Sequence, residues 1–256
     1  QRLVLPIFCL ALVLLVNIIT TPNFFSIEIR DGVLYGYMID IINRASELVI
    51  LAVGMTLVVS SSAGTDISVG AIMAVSAAVC CNILTGGERA VTAYANPLIL
   101  GFIAALVVGA AIGCFNGFLV SKLNIQPMVA TLIMFTAGRG IAQLITDGQI
   151  TYVRVDSYRV LGASFPGFPV PTPFIVAVLV VALTSLLLKK TALGMYIQSV
   201  GINKRASQLV GIKSVLIIFL TYAYCGLCSG LAGLSASSRI YSADANNIGL
   251  NMELDA

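Results

Sequence analysis

Leu48–Leu84 reads LVILAVGMTLVVSSSAGTDISVGAIMAVSAAVCCNIL: two apolar runs meet at Ser60–Gly70, a joint of small polar residues around a single carboxylate, Asp66. A helix needs about 20 apolar residues to cross a bilayer's hydrocarbon layer. The strands of a membrane β-barrel show instead segments of about ten residues that alternate apolar and polar. These runs are continuous and rich in Gly and Ala, so they predict two membrane helices with a polar joint.

Working outward, the same pattern predicts spans at 3–20, 47–62, 67–84, 97–120, 128–145, 172–188 and 214–236. Hydrophobic residues make up 59% of the 256-residue chain and charged residues 10%, with a mean hydropathy of +1.01. A soluble domain of this size carries far more surface charge. The fold class is therefore all-α, a polytopic transmembrane helical bundle with about seven spans, read as one transmembrane domain over 1–256. The first run differs from a signal peptide in its single Arg2, its length and the lack of a small-residue cleavage site, and is read as a retained helix. A start at Gln1 and an end at Glu253-Leu-Asp-Ala256 predict the ordered or cloned part of a longer chain.

Chemistry of its own is hard to place in this sequence. There is no histidine, which excludes His-based triads and His metal sites. No GxxxxGK[ST] loop is present, so the chain has no Walker phosphate cradle. Cys9, Cys80, Cys81, Cys114, Cys225 and Cys228 lie in apolar runs, where cysteine behaves as a small hydrophobe. Cys225-Gly-Leu-Cys228 lacks a second ligand pair. Neither a metal nor a cofactor is expected. A bundle without chemistry suits a conduit driven from outside.

If the seven spans alternate, Lys122, Lys189, Lys190, Lys204 and Lys213 share one side with Arg2 and Arg205. Arg30, Arg44, Arg89, Arg154, Arg159 and Arg239 fall on the other, so the count of positive charge alone barely decides orientation. The acid-free segment 189–213 places the lysine side in the cytosol. Residues 21–46 and 146–171 then lie outside, the second an irregular loop with Gly148, Gly162, Pro166, Gly167, Pro169 and Pro171. Within 189–213, Asn203 is a favoured N-cap and Gly211 a favoured position past a helix end, with about two turns between them. A helix that short has little stability alone. It is either held against the bundle or a partner, or it is a solvated basic loop.

Gly109, Gly113 and Gly117 form overlapping GxxxG units, and Gly226 with Gly230 another, read as close helix packing. Asp66 and Arg139 are the clearest ionisable residues at membrane depth, where such groups normally face protein or water. The small polar residues around Asp66 permit a helix break. By parity the break lies at the cytosolic end; if the segment folds back, Asp66 sits deeper and caps the second helix. Capping and a direct role in a pathway both remain open. Arg139, in the outer half of its span, either contacts a carboxylate or carbonyl or faces substrate.

At this point the residues resemble a family, the permease subunits of ribose-type bacterial sugar ABC importers. Ala63-Gly-Thr-Asp-Ile-Ser-Val-Gly70 is similar to that family's GGIDLSVG, Ile125-Gln-Pro-Met-Val-Ala-Thr131-Leu to the segment after its fourth span, and Gly194–Ile212 to its cytosolic segment. Gly201, Asn203, Ala206 and Gly211 resemble its G-x-N-x-x-A-A-x-x-x-G-I pattern. Within the family, Asp31–Gly36, Ala137–Ile150, Lys190–Met195 and Ala243–Ala256 look like the galactofuranose-transporting members. Ala63 stands where the family usually has glycine, Thr65 where it has an aliphatic residue, and Ser207 where it has alanine.

The resemblance implies an ATP-driven importer of a monosaccharide, galactofuranose-like or another furanose or pentose, in the bacterial inner membrane. Its implied partners are a separate ATP-binding subunit, a periplasmic sugar-binding protein, a second permease subunit and membrane lipid, with no nucleic acid. Segment 194–212 is implied to dock the ATP-binding subunit through Gly194, Gly201, Asn203, Ala206 and Gly211. Asp66, Ser68, Thr131, Arg139, Asp244, Asn246 and Asn247 are candidates for lining or shaping the sugar pathway. Family chains continue into further spans, so about three helices are expected beyond Ala256. A secondary transporter or facilitator shows broken helices and buried ions too, and is the alternative reading. An intramembrane enzyme would need Asp66 or another acid in place of histidine.

Overall fold

The computed structural model describes residues 4–21, 24–30, 33–164 and 170–256. Arg2, Asp31, Gly32, Pro166, Gly167 and Pro169, invoked above, lie outside the described residues. Each of the seven expected spans falls on a helix: α1 (Val4–Thr20), α2 (Tyr37–Ser62), α3 (Val69–Thr85), α4 (Leu98–Ser121), α5 (Pro127–Ile145), α6 (Thr172–Lys190) and, after two short helices, the long α9 (Ser214–Ile240). Of these, α2, α4, α5, α6 and α9 are long and apolar enough to cross a membrane, while α1 and α3 are shorter apolar helices.

Proline marks several starts. It follows the residue capping α5, as Pro127, and sits in the first turn of α6, as Pro173, where its missing N–H costs nothing and its fixed φ suits a helix. Lys189 and Lys190 close α6, complementing the negative end of the helix dipole.

Two boundaries depart from expectation. Helix α2 starts at Tyr37, not near 47, and carries Asp40, Asn43, Arg44 and Glu47 through its first turns. Glu47 is fully buried, and Arg239 Nε and Nη2 donate to its carboxylate at 3.0 and 3.4 Å. The ion pair lets α2 and α9 continue as packed helices where composition reads as loop. Helix α9 likewise runs past 236 because Ser237 and Ser238 are buried against Tyr158, with the Tyr158 hydroxyl 2.8 Å from Ser237 Oγ.

The core lies between α2, α3, α4 and α9, where Ile50, Leu51, Val58, Met73, Ala77, Cys80, Tyr222 and Cys225 are buried. The glycine motifs close α4 on α9: a Cβ at Gly113 would lie 2.4 Å from the Tyr222 carbonyl, and one at Gly226 2.3 Å from that of Gly109. Packing accounts for these glycines, as in other tightly apposed membrane helices. Outer faces of α1, α4 and α6 stay apolar and exposed, with Leu5, Ile103, Val107 and Leu183 among them, as a lipid-facing surface requires.

The loops sort the chain ends into two sides. A hairpin of β1 (Glu28–Arg30) and β2 (Val33–Tyr35) precedes α2. At the same end, β4 (Thr151–Val153) pairs parallel with β3 (Ala90–Val91) and antiparallel with β5 (Ser242–Ala243). A 3-10 turn, Asp156–Leu161, follows β4, so part of the loop expected to be irregular is ordered. At the opposite end, the α2–α3, α4–α5 and α6–α9 connections meet: Gly64 packs on Pro127, and Lys204 Nζ donates to Asn124 Oδ1 at 2.8 Å. This is the arrangement that alternating spans require.

Candidate functional site

Helix α2 ends as Ala63 turns into the left-handed region, φ 52°, with its N–H bonded to the Val59 carbonyl. An L-residue with a side chain pays about 1–2 kcal/mol there, which glycine avoids. The departure from the family's glycine thus falls where glycine suits the backbone best.

Beyond Ala63 the chain folds back into the bundle. Asp66 Oδ1 accepts the Ser68 N–H at 2.9 Å and the Ser68 hydroxyl at 2.6 Å. Asn116 Nδ2 of α4 donates to Ser68 Oγ at 2.8 Å. The Ile67 N–H donates to Thr131 Oγ1 of α5 at 3.1 Å, and the Asp66 N–H meets Met55 Sδ of α2 at 3.3 Å. Asp66, Ser68, Asn116 and Thr131 are all fully buried.

Asn116 precedes the α4 end at Ser121 by five residues, which is about 7.5 Å at 1.5 Å per residue. The joint therefore lies inside the helical layer, the deeper of the two placements the sequence allowed. Asp66 holds the turn that enters α3, as a side-chain oxygen does when it accepts an N–H two residues on. Among the described residues its Oδ2 and the Asn116 Oδ1 have no hydrogen-bond partner. Sequence reading singled out Asp66, Ser68 and Thr131 but passed over Asn116, an amide inside an apolar helix; the polar residues that join membrane helices leave that kind of signal.

Arg139, Asp244, Asn246 and Asn247 come together in a second cluster. Arg139 Nη1 donates to the carbonyls of Ala245 at 3.0 Å, Asn246 at 3.5 Å and Ile248 at 2.6 Å. Gln143 Nε2 donates to Asn246 Oδ1 at 2.7 Å. Asp244 accepts the N–H groups of Asn246 and Asn247 at 3.0 and 3.2 Å, and the Asn247 amide at 2.6 Å. Arg139 thus anchors carbonyls, and among the described residues its Nε and Nη2 have no hydrogen-bond partner.

The segment after β5 runs along α3 toward the first cluster. Ala245 packs with Ala74, Val75 and Ala78 of α3 and Ala142 of α5. A Cβ at Gly70 would lie 2.1 Å from the Gly249 carbonyl, so only glycine permits this approach to the first turn of α3. The short helix α10 (Met252–Asp255) follows. Glu253 Oε2, buried near Gly70, has no hydrogen-bond partner among the described residues.

On the lysine-bearing side, α7 (Ala192–Ile202) and α8 (Lys204–Leu209) form the segment between α6 and α9. Asn203 caps α8, its Oδ1 accepting the Ala206 N–H at 3.0 Å. At the other end the Gly211 N–H bonds to Gln208 O and the Ile212 N–H to Ser207 O, with Gly211 at φ 88°. This is a Schellman closure, which glycine fits best. Gly194 and Gly201 face the bundle, where a Cβ at Gly201 would lie 1.9 Å from the Ser60 carbonyl. Ala206 is exposed, as are Ile202 at 87%, Leu209 at 90% and Val210 at 81%. A recess of about 260 Å³ lies between this segment and the joint, lined by Ser61, Ser62, Asn124, Gln126 and Lys204 together with Val120, Ile125, Val200 and Ile218 among others.

Among the described residues, no group of His, Cys, Asp and Glu could hold a metal ion; Cys225 and Cys228 are buried free thiols.

Comparison with known proteins bears on what these clusters serve. Residues 37–256 match the family described as branched-chain amino acid transport system / permease component. The galactofuranose transporter permease protein YtfT of Escherichia coli (strain K12) is 46% identical over 247 residues, covering 96% of this chain and 70% of the relative. The fructose import permease protein FruF of Bifidobacterium longum is 41% identical, over 89% of this chain and 62% of the relative. The ribose import permease protein RbsC of Escherichia coli (strain K12) is 35% identical, over 96% and 73%. No solved structure matches the chain.

Proposed function

This chain belongs to the family of branched-chain amino acid transport system permease components, and from that membership we propose that it is the transmembrane permease subunit of an ATP-driven monosaccharide importer in the bacterial inner membrane. The relatives named for galactofuranose, fructose and ribose support a sugar cargo, and the 46% identity to the first favours a galactofuranose-like sugar. The chain spans between 62% and 73% of these relatives, so the importer's full activity rests on the proposal. ATP hydrolysis belongs to a separate subunit, delivery to an external binding protein, and a second permease subunit, identical or similar, completes the conduit. No cofactor or metal is assigned to this chain.

One observation carries the mechanism: the contact of Gly201 with the Ser60 carbonyl. The exposed apolar side chains Ile202, Ala206, Leu209 and Val210 offer the ATP-binding subunit its surface. Gly201, the neighbour of Ile202 in α7, lies against the last turn of α2. A displacement of α7 and α8 is passed to Ser60 and so to the joint that holds Asp66, Ser68 and Asn116. Lys204, bonded to Asn124, carries the same movement to the start of α5 and thus to Thr131 and Arg139. Asp66 Oδ2, Asn116 Oδ1 and Arg139 Nε and Nη2 have no hydrogen-bond partner among the described residues. Buried polar groups without partners are costly, and hydroxyls of a passing sugar are suited to satisfy them once the joint opens. In this reading Asp66 shapes the pathway as a turn-holding group, and Asp244, Asn246 and Asn247 shape its outer part through Arg139.

Sugar uptake into vesicles, measured with and without the ATP-binding subunit, tests the function. Uptake is expected only with that subunit and ATP. Uptake that persists without it would instead establish a secondary transporter or facilitator.

A further inference from the structure

On the cytosolic side, where α4 ends and α9 begins, a groove of about 560 Å³ opens outward. Phe118, Val215, Leu216 and Phe219 give it an apolar wall, and Lys122 and Lys213 stand at its cytosolic end. No acidic residue lines it. Both lysines are exposed, and among the described residues neither has an ion-pair partner. Lys122 Nζ sits over the Phe118 ring, 5.6 Å from its centre, a cation–π contact at the edge of the apolar wall. Phe118, Val215 and Leu216 are 40%, 41% and 49% exposed.

We propose that this groove binds one anionic phospholipid, its phosphate held between Lys122 and Lys213 and an acyl chain laid along Phe118, Leu216 and Phe219. The charge decides the occupant. A basic pocket between membrane helices at the cytosolic face matches an anionic headgroup, and the apolar wall continues from the helix ends into the depth that acyl chains fill. A zwitterionic lipid fits the wall but leaves both ammonium groups uncompensated. A free phosphate fits the ammonium groups but leaves the wall uncovered.

The rim of the groove also includes Gln208, Gly211 and Ile212, the closing turn of α8. A bound lipid therefore buttresses the segment assigned to the ATP-binding subunit, and this consequence alone rests on the proposed function. Lipid occupancy stiffens the elbow between α8 and α9.

Native mass spectrometry of the detergent-purified chain, titrated with dioleoylphosphatidylglycerol or dioleoylphosphatidylcholine, tests the site without any transport partner. The chain is expected to retain one phosphatidylglycerol in preference to phosphatidylcholine. Each lysine near a membrane surface contributes roughly fivefold to anionic binding, so Lys122→Gln with Lys213→Gln is expected to weaken retention roughly 25-fold. Lys189→Gln with Lys190→Gln, on the same side but away from the groove, is expected to leave it unchanged. Leu216→Trp, which fills the wall and keeps both charges, is expected to reduce it as well. Equal retention by the Lys122/Lys213 variant, equal loss in the Lys189/Lys190 variant, or full displacement of the lipid by millimolar inorganic phosphate would each overturn the proposal. Unchanged thermal unfolding of the exposed-lysine variants separates loss of the site from loss of the fold.

Discussion

Replacing Gly201 by alanine is the sharpest perturbation of the coupling route. The added Cβ would stand 1.9 Å from the Ser60 carbonyl oxygen, against a limit of 3.0 Å that real Cβ contacts do not breach, so α7 and the end of α2 must separate by at least 1.1 Å (3.0 − 1.9). The obstacle is backbone and cannot swing aside like a flexible side chain. Overpacking of this kind costs about 1–3 kcal/mol, and a loss of even 1 kcal/mol in coupling free energy lowers coupling about fivefold. The assay is sugar-stimulated ATP hydrolysis by the assembled importer, alongside the amount of protein in the membrane. Gly201→Ala is expected to leave the protein inserted and to cut stimulation fivefold or more. Gly140→Ala is the matched control, because nothing lies within 4 Å of the added atom. Stimulation by Gly201→Ala equal to that of the control would refute the route through Ser60.

The other predictions concern the joint, the outer ion pair and the docking surface. Asp66→Ala removes the acceptor of the Ser68 N–H and hydroxyl and is expected to cost about 1–2 kcal/mol, whereas Asp66→Asn keeps an acceptor oxygen and most of that stability; thermal unfolding in detergent compares them. Glu47→Ala strands Arg239, whose side chain is 22% exposed. The cost is expected to fall at or below the lower end of the roughly 3–5 kcal/mol typical of a broken buried pair, and Glu47→Ala with Arg239→Ala is expected to recover part of it in the same unfolding assay. Ala206→Asp places a charge in the exposed apolar patch, which becomes buried at the proposed interface; membrane insertion is expected to survive and sugar-stimulated hydrolysis to be lost.

The helices were legible because continuous apolar runs have one solution in lipid, and every span was anticipated on that ground. What composition could not see was polarity satisfied at a distance. Glu47 looks like the edge of a span until Arg239, 192 residues later, neutralises it, and so the start of α2 was set ten residues late. Asn116, one residue before Gly117 of the glycine motif, gives no local signal, since its partner Ser68 lies 48 residues away at the start of α3. Parity placed Asp66 at the cytosolic end without fixing its depth; Met55, Asn116 and Thr131, from three helices, fix it. The strands β3, β4 and β5 are two or three residues long, too short for an alternation to register. Asn203 and Gly211 were readable because a cap and a Schellman glycine act within one turn of sequence.

The central claim is that movement of the cytosolic segment reaches the Asp66 joint. The most direct measurement places spin labels at Thr65, exposed in the joint, and Thr92, exposed at the outer end, with Cys9 and Cys114 replaced by serine because the other cysteines are buried. The distance between the labels is then recorded in the assembled importer with and without a non-hydrolysable ATP analogue. The account predicts that the analogue shifts the distance in the otherwise native chain and fails to shift it in Gly201→Ala. A distance that stays fixed in both, or shifts equally in both, would contradict it.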